Sequence, residues 1–177
     1  MQRPEANTIE KEVSSIDLIA SKSDEKGNIT YVNPIFMKIS GYTQGELYDT
    51  PHSILRHPDM PKTIFKYLWD NLKADNDVIA YVKNLCKDGS YYWVLATVKK
   101  AKNPDGSFRN YMSTRKCITE NAKETIAALY AKLLDAEKHS GIEVSEKMLH
   151  TFMAENNITD SNSFNTFMQN LNKQENR

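Results

Sequence analysis

An excess charge of either sign is what this 177-residue sequence most plainly lacks: 23 Lys plus Arg stand against 23 Asp plus Glu, a formal net charge of zero. Without a basic surplus there is no general reason to expect nucleic acid or an anionic membrane surface as the partner, although a neutral total is compatible with a local basic patch. Cysteine is scarce. Cys86 and Cys117 make no disulfide framework, and they stand too far apart in the sequence for a CxxC metal or redox motif. No apolar run approaches the roughly 20 residues of a membrane span, and the opening MQRPEANTIEKEV has no apolar core of a secretory signal. Gly-rich phosphate loops, HExxH pairs and nucleophile-elbow serines are missing as well. What is present, 40% hydrophobic and 26% charged residues, is a globular balance and excludes a largely disordered chain. The expectation is a cytoplasmic protein that is not an enzyme, does not insert into a membrane, and acts by contact with another protein.

Turn chemistry organises the middle of the chain. Asp24-Glu25-Lys26-Gly27-Asn28 separates strand candidates Leu18–Ser23 and Ile29–Asn33. Lys87-Asp88-Gly89-Ser90 separates Ile79–Cys86 from Tyr91–Lys100, and Asn103-Pro104-Asp105-Gly106 separates the latter from Phe108–Ile118. Gly and Asn supply the positive φ of such turns, and the flanking runs are rich in Val, Ile, Tyr, Trp and Thr.

Between strands two and three the period changes. Phe36, Ile39 and Ser40 repeat at helical spacing and stop at Gly41; Thr43-x-x-Glu46 reads as a capping box. Pro61 stands where a helix can begin, and Ile64, Phe65, Leu68, Trp69 and Leu72 form one apolar stripe. The order strand–strand–helices–strand–strand–strand predicts an α+β domain, a five-stranded antiparallel sheet with helices on one face. Residues 1–17 form a polar leader in which Ile9, Val13 and Ile16 allow a short helix; a frayed segment is the alternative. The domain spans 18–119. A helical extension, 120–177, carries three stripes: Ile126, Leu129, Tyr130, Leu133 and Leu134; Val144, Met148, Leu149, Phe152 and Met153; Phe164, Phe167, Met168 and Leu171. Those stripes either cover the sheet or dock a partner or a second copy of this chain.

The segment Arg56-His57-Pro58-Asp59-Met60-Pro61 places a cation, an imidazole and a carboxylate within four residues, between prolines that restrict the backbone. Together with Asn33, Ser40-Gly41-Tyr42-Thr43, Trp69, Val82-Lys83-Asn84, Lys87-Asp88-Gly89, Tyr92-Trp93-Val94 and Tyr111-Met112-Ser113, it resembles the PAS sensor domain of bacterial aerotaxis receptors over roughly Leu18–Thr119. The resemblance implies a PAS fold, non-covalent FAD, redox sensing, and a cofactor site of Asn33, Arg56, His57, Asp59, Trp69 and Asn84. The chain looks like the separate PAS subunit of a bipartite energy-taxis system, which implies a membrane-bound chemotaxis transducer as partner; a homodimer is a further candidate. One position departs from the family: a Trp is expected where Val78 stands, with Tyr81 nearby, so an aromatic wall is lost or moved.

The residues by themselves leave alternatives. Asn33 and Asn84 can meet a flavin edge or bond their own backbone. Arg56 can pair with a pyrophosphate or with Asp59. His57 can line the pocket, ligate haem iron, or serve as an ordinary loop residue, with His52 a second candidate. Trp69 suits a core or a stacking role. Of Tyr92 and Trp93, one faces the pocket and the other solvent or a partner. No Cys lies near Arg56, which argues against a light-sensing photoadduct. Three functions remain: a flavin redox sensor, a haem gas sensor, and a cofactor-free interaction module.

Overall fold

The structure is a computed structural model that describes residues 3–173. Five antiparallel strands form one sheet in the order β2-β1-β5-β4-β3. They are β1 (Ile19–Ser23), β2 (Ile29–Val32), β3 (Val78–Leu85), β4 (Tyr91–Lys102) and β5 (Phe108–Lys116). The β1–β2 turn is closed by Asp24, whose Oδ1 accepts from Lys26 N at 2.9 Å and Asn28 N at 2.8 Å. Gly27 completes it at φ +86, and a Cβ there would lie 3.3 Å from the Trp69 ring. Only glycine meets both conditions.

The chain then crosses one face of the sheet through α1 (Pro34–Ser40), α2 (Gln44–Leu47), a 3-10 turn (His52–Leu55) and α3 (Lys62–Lys73). α1 ends at Gly41, in the left-handed region, and α2 opens with the Thr43/Glu46 capping box. Phe36, Leu47, Leu55, Ile64, Leu68 and Leu72 are buried against this inner face.

Strand alternation sorts the sheet residues. The cross-strand pairs Val82↔Val94, Asn84↔Tyr92, Ala96↔Arg115, Val98↔Ser113 and Ser21↔Ser113 share the inner face. Tyr81 and Trp93 share the outer face, and Tyr92 and Trp93 therefore point apart. Trp93 is only 8% exposed, and its ring packs against Tyr130, centroids 6.2 Å apart.

Tyr130 belongs to α4 (Glu120–Ser140), which is followed by α5 (Ile142–Glu155) and α6 (Ser161–Leu171). Their buried stripe residues, Ile126, Tyr130, Leu133, Leu149, Phe164 and Met168 among them, lie against the rest of this chain, whereas Val144 and Met148 of the α5 stripe stay exposed. α6 also shields the edge strand: Asn165 Oδ1 accepts from Ile79 N at 2.7 Å and its Nδ2 donates to Asp77 O at 2.8 Å. An amide side chain thus does what a sixth strand would do.

The start of the chain corrects the expectation of a leader helix or a frayed tail. Residues 7–11 are extended beside the first residues of β4, which β5 does not reach. Asn7 N donates to Gly89 O at 2.8 Å, Tyr91 N to Ile9 O at 2.9 Å and Lys11 N to Tyr91 O at 2.7 Å. Of the three apolar residues only Val13 is buried; Ile9 is 62% and Ile16 90% exposed. Backbone pairing with an open strand, rather than an apolar stripe, organises this segment.

Candidate functional site

α3 and the 3-10 turn do not seal the sheet completely. A cavity of about 300 Å³ remains between them and the inner face. Its apolar walls come from two periodicities. Phe65, Leu68, Trp69 and Leu72 follow one another down α3, and Val82, Ala96 and Val98 face them from the sheet. The walls meet a polar floor of Ser21, Asn84, Ser113 and Arg115, and Lys26 and Arg56 stand at the mouth. Among the described residues no carboxylate lines the cavity, although the whole chain carries as many acids as bases.

Three residues of the expected site come together here. Arg56 pairs with Asn84 of the edge strand as an isolated antiparallel bridge, while its own N–H donates to Ser53 O at 3.0 Å, and both side chains line the cavity. The Arg56 guanidinium lies over the Phe65 ring, 4.7 Å from its centroid, and Nη2 donates to Met60 O at 3.1 Å. It makes no pair with Asp59, and burial draws its pKa down. Asn84 is 4% exposed, and among the described residues neither its Nδ2 nor the buried hydroxyl of its cross-strand neighbour Tyr92 has a hydrogen-bond partner. Trp69 meets Tyr111 edge to face, centroids 5.2 Å apart.

The other three lie elsewhere. Asn33 is the N-cap of α1: Oδ1 accepts from Phe36 N at 3.1 Å and Ala20 N at 3.0 Å, and Nδ2 donates to Leu18 O at 2.7 Å. Its amide is occupied by backbone, as a turn asparagine's is. Extended backbone at Arg56 (φ −71, ψ 117) turns the next side chain to the opposite side, so His57 packs edge to face on Tyr91, centroids 5.5 Å apart. His57 Nδ1 accepts from Asp59 N at 3.1 Å, leaving Nε2 protonated, buried and unpartnered. Burial, reinforced by Lys83, holds its pKa well below the usual value. Asp59 pairs at the surface with Lys83, 2.6 Å away.

The structure adds residues that sequence reasoning passed over. Arg115 Nη1 donates to Ser21 Oγ at 3.1 Å and Nη2 to His52 Nε2 at 2.8 Å. Because a guanidinium only donates, His52 Nε2 is the acceptor and the imidazole is neutral; burial and then Arg115 lower its pKa to about 3. Ser113 Oγ is buried without a partner. The alternation Tyr111-x-Ser113-x-Arg115 was the available signal, a polar run on one face of a strand whose neighbours carry core residues. Val78 lies on the inner face beside Val98, whereas Tyr81 points outward and donates to Met168 O at 2.8 Å. Tyr81 therefore does not replace the missing aromatic wall; Phe65, Trp69 and Tyr111 supply the aromatic surface.

Neither cysteine lines the cavity. Among the described residues no group of three His, Cys, Asp or Glu side chains is placed to hold a metal ion, and no helix is long and apolar enough to cross a membrane.

Comparison with known proteins gives concordant relationships. Residues 29–115 match the family profile described as PAS fold. The chain is 36% identical over 136 residues to the aerotaxis receptor of Escherichia coli, covering 74% of this chain and 26% of that protein. It is 26% identical over 107 residues to the nitrogen fixation regulatory protein of Klebsiella pneumoniae, covering 60% and 22%. The chain thus spans about a quarter of the length of these relatives. Among solved structures, a light-oxygen-voltage domain studied with a flavin analogue superposes with a TM-score of 0.56 at 19% identity, covering 63% of this chain and 83% of that one. The light state of the Aureochrome1 LOV photoreceptor gives 0.54 at 19%, covering 71% and 92%. At such identities the likeness is one of fold.

Proposed function

Since the chain belongs to the PAS-fold family through residues 29–115, we propose that it is a redox sensor that holds FAD in the α3 cavity and signals by protein contact to a membrane-bound chemotaxis transducer. The observation that carries this reading is the buried, unpartnered Asn84 Nδ2 at a cavity with apolar walls and no carboxylate. A buried amide without a partner is costly, and a flat apolar ring with a hydrogen-bonding edge is a ligand that would satisfy it. The fit is chemical at three levels. Leu68, Trp69 and Val82 offer apolar walls. Asn84 and Ser113 offer hydrogen bonds to the polar edge. Arg56 and Lys26 at the mouth suit a diphosphate, Arg56 with a planar fork. Kinship with the Escherichia coli aerotaxis receptor supports the taxis assignment.

Bound FAD supplies a reversible two-electron centre. The chain's part is to exclude water, orient the ring edge on Asn84, and transmit any movement of α3. That helix walls the cavity, and its first turn is held by Glu137 of α4. A change at the cavity therefore reaches the C-terminal helices directly, and a partner that prefers one arrangement reads it.

The haem alternative gains nothing from the histidines: His57 does not line the cavity, and the Nε2 of His52 is engaged by Arg115. A thiol photoadduct is equally unsupported, since both cysteines lie away from the cavity. The test is the absorption spectrum of the protein purified gently and then incubated with FAD. A retained flavin spectrum is expected. A Soret band would establish haem instead, and a colourless protein that takes up no FAD would leave only an interaction module.

A further inference from the structure

Arg115 is 5% exposed and lines the cavity floor, yet among the described residues its charge meets no carboxylate. Its partners are neutral: Ser21 Oγ, His52 Nε2 and the Phe36 ring, whose centroid is 5.4 Å from the guanidinium carbon. Burying a charge without a counter-ion opposes folding, and Arg115 stays protonated at neutral pH even though burial draws its pKa down to about 10. Such a group is retained where a ligand completes it.

Depth sorts the cations. Lys26 is exposed and Arg56 half-buried, both at the mouth, where a strongly hydrated diphosphate can keep part of its water. Arg115 lies on the floor with Ser113, whose Oγ is unpartnered, and a phosphate there would have to be stripped bare. A delocalised charge on a planar ring is the anion that suits a dry floor. His52 accepts from Nη2 and Ser21 from Nη1, so the guanidinium fork is held from behind by two positioning residues.

We propose that Arg115 is the counter-charge of the flavin N1–C2=O edge, so that the cavity holds the reduced, anionic ring more tightly than the oxidised, neutral one. This rests on the flavin reading above. Reduction by two electrons and one proton, the electrons coming from dithionite in the test below, places the proton on N5 and leaves one negative charge over N1–C2=O. No bond to the protein forms or breaks. A cation beside that edge raises the reduction potential by the difference in affinity for the two forms.

The experiment uses the full chain loaded with FAD, as wild type, Arg115→Gln and Arg115→Lys. Affinity for oxidised FAD is measured by fluorescence, and the midpoint potential by dithionite titration against a reference dye. Arg115→Gln should weaken oxidised FAD by less than about threefold and reduced FAD by about tenfold or more, which lowers the midpoint by about 30 mV for each tenfold difference between the two losses in a two-electron couple. Arg115→Lys, which keeps the charge, should retain most of the wild-type potential. A purely structural role would not move the potential. Should Arg115→Gln fail to fold, the wild type decides: its reduced flavin should keep the anionic spectrum to about one pH unit below free reduced flavin. An unchanged midpoint, equal weakening of both forms, or an unshifted wild-type titration overturns the proposal while leaving FAD binding intact. A wild type that binds no FAD overturns both readings.

Discussion

Glu137, in α4, caps the first turn of α3 through Thr63, 74 residues away in the chain. Its Oε1 accepts from Thr63 N at 2.7 Å and Thr63 Oγ1 at 2.8 Å, and Oε2 accepts from Lys62 N at 3.0 Å. α3 needs this help, because Pro61 at its N-cap has no side-chain acceptor. A carboxylate at a helix N-terminus also meets the positive end of the helix dipole. The buried Oγ of Ser145 in α5 lies 2.7 Å from Thr63 Oγ1 and extends the chain of bonds. The helix that walls the cavity is thus fastened at its first turn to the C-terminal extension, and Lys66 adds an ion pair with Glu146 of α5 at 2.7 Å.

Replacing that carboxylate should be felt in stability and in coupling. Glu137→Ala removes the acceptor for three donors and should lower the unfolding free energy by about 2 kcal/mol. A double-mutant cycle with Thr63→Ala, read by urea unfolding, should return a coupling energy of about 0.5 kcal/mol or more. Additive losses would mean that the two residues act separately.

Asn84→Leu separates ligand binding from folding. The wild-type Nδ2 is buried without a partner, so an apolar side chain of similar size should leave the FAD-free protein as stable, or more stable by about 1 kcal/mol. FAD affinity should fall about tenfold, one lost hydrogen bond to a buried ring edge. Thermal melts with and without FAD measure both; a large loss of stability without FAD would assign Asn84 to the scaffold.

Asn33→Ala should behave in the opposite way. It strips the cap from α1 and leaves Ala20 N and Leu18 O without their partner. Stability should fall by about 1–2 kcal/mol, with FAD affinity unchanged. Weaker FAD binding in a folded variant would return Asn33 to the site.

Acid should weaken the fold before the carboxylates titrate. His57 and His52 are held neutral in the folded protein, with His52 lowered to about 3 by burial and Arg115. In the unfolded chain both protonate near pH 6.5. The unfolded state therefore binds more protons as pH falls below about 6.5, and stability is lost in that direction, by up to ~1.4 kcal/mol per pH unit for each imidazole. Denaturant melts between pH 7 and 5 measure the slope, and His57→Gln should reduce it. An equal slope in that variant would place the titrating group elsewhere.

Much of the architecture is legible in local chemistry. Turns at Gly27, Gly89 and Gly106, the Thr43/Glu46 capping box, the Gly41 stop and the α3 stripe each follow from the backbone preferences of a few neighbouring residues, and together they imply the strand–helix order. The candidate site was harder to read because it depends on direction. Arg56 and His57 are adjacent and chemically similar as candidates, but extended backbone sends one to the cavity and the other to Tyr91. Asn33 looks like a ligand residue until its amide is found on three backbone groups.

Apart from residues 7–11, whose extended form depends on pairing with β4, the sequence alone determined which segments are strands and which are helices, because those choices are made over a few residues by φ, capping and periodicity. The tertiary structure decided which polar groups face one another. Ser21, His52 and Arg115 come from three separate segments, and only the pairing of β1 with β5 and the seating of the 3-10 turn over them builds the charged floor. Long-range pairing of this kind leaves no local trace, since the backbone groups of a strand are satisfied by a partner strand distant in sequence, as β1 is by β5.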